Sequence, residues 1–255
     1  RSRVLHKKMK QGINENLAKI FGGRVFSRFS EELWERSPAI WRELDSPLQI
    51  STDEIAEMLK FQIWRQDDLR LAIDGEEIDL SKMLDARGFI QPSDALRAFK
   101  EGSTLILRNF DRRHSSARDI CDKIETLLGH AVMANLYATP RASQGFSLHQ
   151  DFHDVFVWQL SGSKLWKVHS QKSLPSSVSK TYPQTVLDAG PIVLETELTS
   201  GDVLYIPRGC HHAAAAGDRE SVHLTIGVHT TKWIDLLHVL LEQLEVGNEV
   251  LRRSL

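Results

Sequence analysis

Two cysteines in 255 residues, Cys121 and Cys210, are too few and too far apart for a disulfide framework, and that usage suits a reducing cytoplasm. No apolar run approaches the length of a membrane span, and no signal-peptide pattern opens the chain. The expectation is a soluble, cytoplasmic protein with no membrane partner. An excess of one charge sign is also missing: 32 Lys and Arg stand against 34 Asp and Glu, for a formal net charge of -2. That balance argues against nucleic acid as a partner. The local basic run Arg1, Arg3, Lys7, Lys8 and Lys10 reads as a solvated terminal arm. Neither a low-complexity break nor an internal repeat divides the chain. Its length fits one larger domain, or one domain with a helical appendage, and suffices for a sizeable core.

What is present changes character along the chain. Residues 1–100 read as mostly helical elements. Asn14 to Phe21 and Phe29 to Trp41 carry apolar residues at helical spacing. Ser51 or Thr52 caps a helix running to Phe61, and Ser93 caps a short one ending near Gly102. Leu69 to Ile73 alternates, and Asp74-Gly75 turns the chain back towards Ile78 as a hairpin. Thr104 to Leu107 is a strand, and Ser116 to Leu128 is a helix stopped by Gly129. Strands then dominate: Val132 to Ala138, Asp154 to Leu160, Lys164 to Val168, Ile192 to Glu197, Asp202 to Ile206 and Val222 to Val228. Short strands punctuated by Gly, Pro and Ser predict a mainly β, double-sheet jelly roll over residues 101–231, with flanking helices. Ser170 to Gln184 reads as a long loop. The last segment, 232–255, predicts an amphipathic helix with Leu236, Leu237, Leu240, Leu241 and Leu244.

Four features carry chemistry. His149-Gln150-Asp151 on a strand sends two ligands to one face. His212 follows about sixty residues later. Two imidazoles and a carboxylate make a facial triad, which leaves adjacent positions open on an octahedral non-haem Fe(II). On pattern alone, His153 competes with His149, and His211 with His212. Lys164 alternates in phase with Trp166 and Val168, an unexpected place for an ammonium unless its head snorkels to water or meets an anion. Asn135 and Tyr137 share one face of the strand before the loop and could donate to a bound carboxylate.

The run Asn135-Leu136-Tyr137-Ala138-Thr139-Pro140, then Ser143-Gln144-Gly145-Phe146, His149-x-Asp151, Asp154-Val155-Phe156 and Gly162-Ser163-Lys164-Leu165-Trp166 resembles the JmjC/cupin-like ribosomal oxygenase family. So do Gly201 to Gly209 followed by His212, and the early Leu33-Trp34-Glu35-Arg36-Ser37-Pro38. The resemblance spans about residues 20 to 245. It implies a double-stranded β-helix with helical N-terminal elements and a C-terminal helix. It implies His149, Asp151 and His212 as Fe(II) ligands, and Lys164 as partner of the distal carboxylate of 2-oxoglutarate, with Asn135 and Tyr137 nearby. It selects His212 over His211, because the family's ligand lies three residues after the glycine that follows Pro-Arg. Two departures stand out: Pro140-Arg141-Ala142 replaces a small or glycine-containing loop, and Gly227 sits where some members carry serine. The family continues past its barrel into a helical dimerisation region, so the 232–255 helix is a candidate dimerisation element.

The expected activity is O₂- and 2-oxoglutarate-dependent hydroxylation of a side chain in a protein or peptide, with arginine or histidine of a ribosomal protein as the implied target. Loops Arg141 to Phe146 and Ser170 to Gln184 are expected at the cavity mouth. Rival readings are hydroxylation of a ribosomally made natural-product precursor, N-methyl-lysine demethylation, a zinc hydrolase with the same ligands, and a metal-free cupin-like binding module. A zinc hydrolase gives no reason for Lys164 or Asn135.

Overall fold

The computed structural model describes residues 2–21, 26, 28–45, 48–171 and 189–253. Two sheets, antiparallel throughout, dominate them. The larger runs β1 (Ala39–Trp41), β9 (Val203–Ile206), β6 (Asp154–Ser161), β11 (Ser221–His229), β5 (Ala131–Thr139), β4 (Thr104–Leu107), β2 (Leu69–Ile73) and β3 (Glu76–Glu77). The smaller has β7 (Ser163–His169) between β10 (His212–Ala216) and β8 (Ile192–Thr199).

Strand alternation explains how the sheets stack. In β6, Phe156, Trp158 and Leu160 join a large core beneath the helices, while Val155 and Val157 join a second core with Trp166, Val168 and Leu198 of the small sheet. In β9, Val203 and Tyr205 take the first side and Leu204 and Ile206 the second. The central strands are therefore buried on both faces and read as nearly continuous apolar runs. The helical layer contains α1 (Ser2–Ile20), α2 (Thr52–Phe61), α3 (Pro92–Lys100) and α4 (Ser115–Leu128). Leu17, Ile55, Leu59, Ala95, Ile120 and Ile124 carry its apolar faces into the large core. Each fully buried residue of Leu, Ile or Phe size contributes ~2 kcal/mol of transfer free energy.

Along β5 and β11 the same alternation separates core from cavity. Val132, Ala134, Leu136 and Ala138, with Val222, Leu224, Ile226 and Val228, enter the large core. Asn135, Tyr137, His223 and Thr225 face the space between the sheets. The polar residues of those strands thus all belong to one side.

Local signals account for several ends. Ser51 caps α2 in a full capping box with Glu54. Gly129 ends α4 in the left-handed region at φ 70°. Gly162 turns β6 into β7 at φ 64°, where a Cβ would lie 1.7 Å from the Glu220 carbonyl oxygen.

Other expectations are corrected. Phe29 to Trp41 is not a helix. A short π-helical turn covers Phe29–Leu33, and the chain then extends into β1, because Trp41 and Ile40 pair with β9 and stacking on Phe26 outweighs local periodicity. Gln91, not Ser93, precedes α3, and Pro92 occupies the first turn. The strand β10 was not expected: its Ala-rich sequence has little β propensity, and pairing with β7 imposes it. Lys7, Lys8 and Lys10, read as part of a solvated terminal arm, lie within helix α1. Of the Ser170 to Gln184 loop, residues 172–184 lie outside the described residues.

The terminal helix α5 (Trp233–Gly247) buries no residue. Leu236, Leu237, Leu240, Leu241 and Leu244 are 44–60% exposed, so its apolar side is not covered by the described part of the barrel.

Candidate active site

A cavity of about 540 Å³ opens between the two sheets, with walls from β2, β4, β5, β6, β7, β10 and β11 and the segment 145–151. His149, Asp151 and His212 meet there, their ligand atoms all within 4.8 Å of one another. His149 and Asp151 do not lie on a regular strand. His149 forms a single antiparallel bridge with His212, through N–H···O bonds of 3.1 and 2.7 Å in the two directions. That bridge brings residues 63 positions apart, 149 and 212, to one point. The Gly209 N–H donates to the Asp151 carbonyl at 2.9 Å and fixes the loop that precedes His212.

The tautomers follow from the hydrogen bonds. His149 Nδ1 is 2.8 Å from the Ser147 carbonyl oxygen, and His212 Nδ1 is 3.0 Å from that of Cys210. A carbonyl only accepts, so both Nδ1 atoms carry the proton and both Nε2 lone pairs are free. Burial and the neighbouring His149 hold His212 down to about 4, against the opposing pull of Asp151. Burial alone would raise the Asp151 carboxyl, but His212, His153, His149 and His229 together outweigh it and leave it lowered. The set at neutral pH is a carboxylate and an unprotonated imidazole, with Asp151 Oδ2 3.6 Å from His212 Nε2. Two electron-rich atoms facing each other with no proton between them fit a shared divalent cation. Two imidazoles and one carboxylate suit Fe(II) and leave positions for other ligands.

The two competing histidines go elsewhere. His153 stacks on His229 with centroids 4.6 Å apart, and occupies space that a side chain at 227 would need: a Cβ on Gly227 would lie 2.7 Å from its ring. His211 is buried and outside the three-ligand cluster.

Deeper in the same cavity stands Lys164, 4% exposed. Its Nζ donates to Thr139 Oγ1 at 2.9 Å, and Thr104 Oγ1 donates to the same oxygen at 3.1 Å. Among the described residues no carboxylate pairs with it, and burial pushes its ammonium down to about 7. Asn135 accepts the Asn109 N–H at 3.0 Å. Tyr137 stacks on His223 at 4.8 Å, its phenol pushed up by burial and by the charge of Asp151. Arg70 sits 5.3 Å above the Phe146 ring at the cavity wall and pairs with Glu77. Arg141 is exposed and outside that wall, whereas Gly145 and Phe146 belong to it.

Sequence reasoning did not single out Thr139, Thr104, Arg70 or His223. For His223 a signal existed: His223 and Thr225 alternate with Val222, Leu224 and Ile226, so a polar face was readable on that strand.

A family model described as JmjC domain matches residues 107–236, just over half of the chain. The chain belongs to the JmjC domain family. This member is 34% identical over 173 residues to a Dictyostelium discoideum protein named bifunctional lysine-specific demethylase and histidyl-hydroxylase NO66, covering 65% of this chain and 33% of that protein. To human ribosomal oxygenase 1 it is 30% identical over 229 residues, covering 84% of this chain and 34% of the relative. The chain thus spans about a third of the length of these curated relatives. Among solved structures, Escherichia coli YcfD, described as a ribosomal oxygenase in complex with cobalt and 2-oxoglutarate, superposes with a TM-score of 0.57 at 19% identity, over 86% of this chain and 56% of that one. A second structure of YcfD gives 0.61 over 88% and 59%. These likenesses establish the mainly β, JmjC/cupin fold with flanking helices.

Proposed function

We propose that this JmjC-domain chain is an Fe(II)- and 2-oxoglutarate-dependent oxygenase that hydroxylates a side chain of a protein or peptide. The observation that carries the reading is the pairing, in one cavity, of the three-ligand cluster with a buried lysine that has no acidic partner among the described residues. A zinc hydrolase would need the cluster but not the lysine.

In this reading His149, Asp151 and His212 hold the iron by Nε2, a carboxylate oxygen and Nε2. The carbonyls of Ser147 and Cys210 orient the two imidazoles. Asp151 supplies the one negative charge of the set. Lys164, kept in place by Thr139, takes the distal carboxylate of the 2-oxo acid and so fixes its orientation. Asn135 and Tyr137 line the same cavity and would donate hydrogen bonds to a bound carboxylate. The bound iron, 2-oxoglutarate and O₂ supply the oxidising chemistry, with the co-substrate consumed to succinate and CO₂ as one oxygen atom passes to the substrate. The sheets on either side exclude bulk water from the deep end of the cavity.

A protein side chain is the expected substrate, because one relative is named for action on lysine and histidyl residues and another for the ribosome. Histidine and arginine are the targets to test first, and lysine demethylation is the second reading, since one relative's name includes it. A homodimer through α5 is part of the proposal, supported by its uncovered leucines. Two free, buried cysteines agree with a reducing compartment such as the cytoplasm. The test is incubation with candidate peptides under ¹⁸O₂. Succinate formation coupled to a peptide gaining one labelled oxygen supports the proposal. Formaldehyde release moves the reading to demethylation, and peptide hydrolysis without O₂ sinks it.

A further inference from the structure

His223 lies on β11, opposite Tyr137 of β5 and Gln159 of β6, and lines the cavity. It is 2% exposed. Its Nδ1 has no hydrogen-bond partner among the described residues. Burial pushes the imidazole well below its ordinary range, and the charge of Lys164 acts in the same direction. Lys164 lies two residues before Trp166 on β7, and both line the cavity wall that His223 faces. The ring is fixed rather than free. It stacks parallel to Tyr137, with centroids 4.8 Å apart and planes 8° apart, and meets Trp166 edge-on at 5.5 Å and 82°. The Trp166 Nε1–H is also buried without a partner among the described residues.

A neutral imidazole always carries one N–H, and leaving a ring nitrogen such as Nδ1 buried and unpaired is costly. A packing role alone would be filled better by phenylalanine. We propose that His223 is a co-substrate-binding residue that donates this N–H to the distal carboxylate of 2-oxoglutarate beside Lys164. The assignment rests on the oxygenase reading and adds a second, uncharged donor to the seat of that carboxylate. Lys164 supplies charge, and His223 supplies direction. The parallel stack on Tyr137 fixes the plane of the ring before the acid arrives.

The test is calorimetric titration of the anaerobic, Mn(II)-loaded protein with 2-oxoglutarate and with 2-oxovalerate, which has the same keto-acid end but no distal carboxylate. A hydrogen bond to a charged group predicts that His223→Leu weakens 2-oxoglutarate roughly ten- to a hundredfold, while 2-oxovalerate changes by less than about twofold. His223→Gln, which keeps a donor, should recover most of the loss. His223→Phe keeps the stack without the donor and should behave as His223→Leu, so the test survives a leucine variant that fails to fold. The assignment is overturned if the donorless variants bind 2-oxoglutarate as tightly as the unmodified protein, or lose both acids equally. If the folded, unmodified protein binds no 2-oxoglutarate, the oxygenase reading falls and the assignment with it. That result is distinct from a variant that merely shows no change.

Discussion

Lys164→Met should stabilise the protein while removing its affinity for 2-oxoglutarate. Burial pulls the ammonium from its ordinary 10.5 down to about 7. At pH 8 the folded protein therefore holds a lysine that the unfolded chain would keep protonated, and about 1.4 kcal/mol per unit makes that cost about 3 kcal/mol. Methionine removes it, but leaves Thr139 Oγ1 without the Lys164 donor, a loss of about 1 kcal/mol. The net gain at pH 8 is about 2 kcal/mol. The sign of the pH dependence follows from linkage. Because the folded pKa lies below the unfolded one, the unfolded chain binds more protons between pH 7 and 10.5, and this group makes stability rise with pH across that window. The methionine variant should lack that rise. Guanidinium unfolding at pH 7, 8 and 9 measures both quantities. With the co-substrate the order reverses: losing one partner of a buried charge pair costs about 2–5 kcal/mol of binding. A variant less stable than the parent with an unchanged pH slope, or one that binds 2-oxoglutarate normally, would refute the reasoning.

Other outcomes follow from the same geometry. His149→Ala and Asp151→Ala should abolish Fe(II)-dependent turnover, and His212→Ala should damage it more than His211→Ala; metal content by mass spectrometry checks this, and the reverse order would reassign the ligand. Gly227→Ser should displace the His153 ring and destabilise the fold by about 1–3 kcal/mol, read by chemical unfolding, since its Cβ would stand 2.7 Å from that ring. Leu240→Lys with Leu244→Lys should convert a dimer to monomer in sedimentation; an unmodified protein that is monomeric at micromolar concentration removes the dimer from the account.

The sequence made most strands legible because their apolar faces alternate on β5 and β11, while β6, buried on both sides, betrays itself as a continuous run. What it hid were elements set by tertiary pairing. Trp41 belongs to a strand because β9 offers an edge, although its neighbours carry helical periodicity. The Ala-rich β10 exists because β7 pairs with it, and it positions His212. The candidate ligands were visible as residue types, and the family resemblance pointed to His149 over His153; the physical reasons, the backbone bridge to His212 and the space beside Gly227, leave no mark in spacing. Lys164 was legible as a phase anomaly; its lack of an acidic partner among the described residues became visible only in three dimensions.

The most direct test of the central claim is an anaerobic titration of the protein with Fe(II) and 2-oxoglutarate, followed by the visible charge-transfer absorption of a 2-oxo acid chelated to ferrous iron. The account predicts a band that saturates at one iron per chain, disappears in His149→Ala and Asp151→Ala, and in Lys164→Met requires far more co-substrate. Absence of the band in the folded parent protein, or its persistence in both ligand variants, would contradict the account.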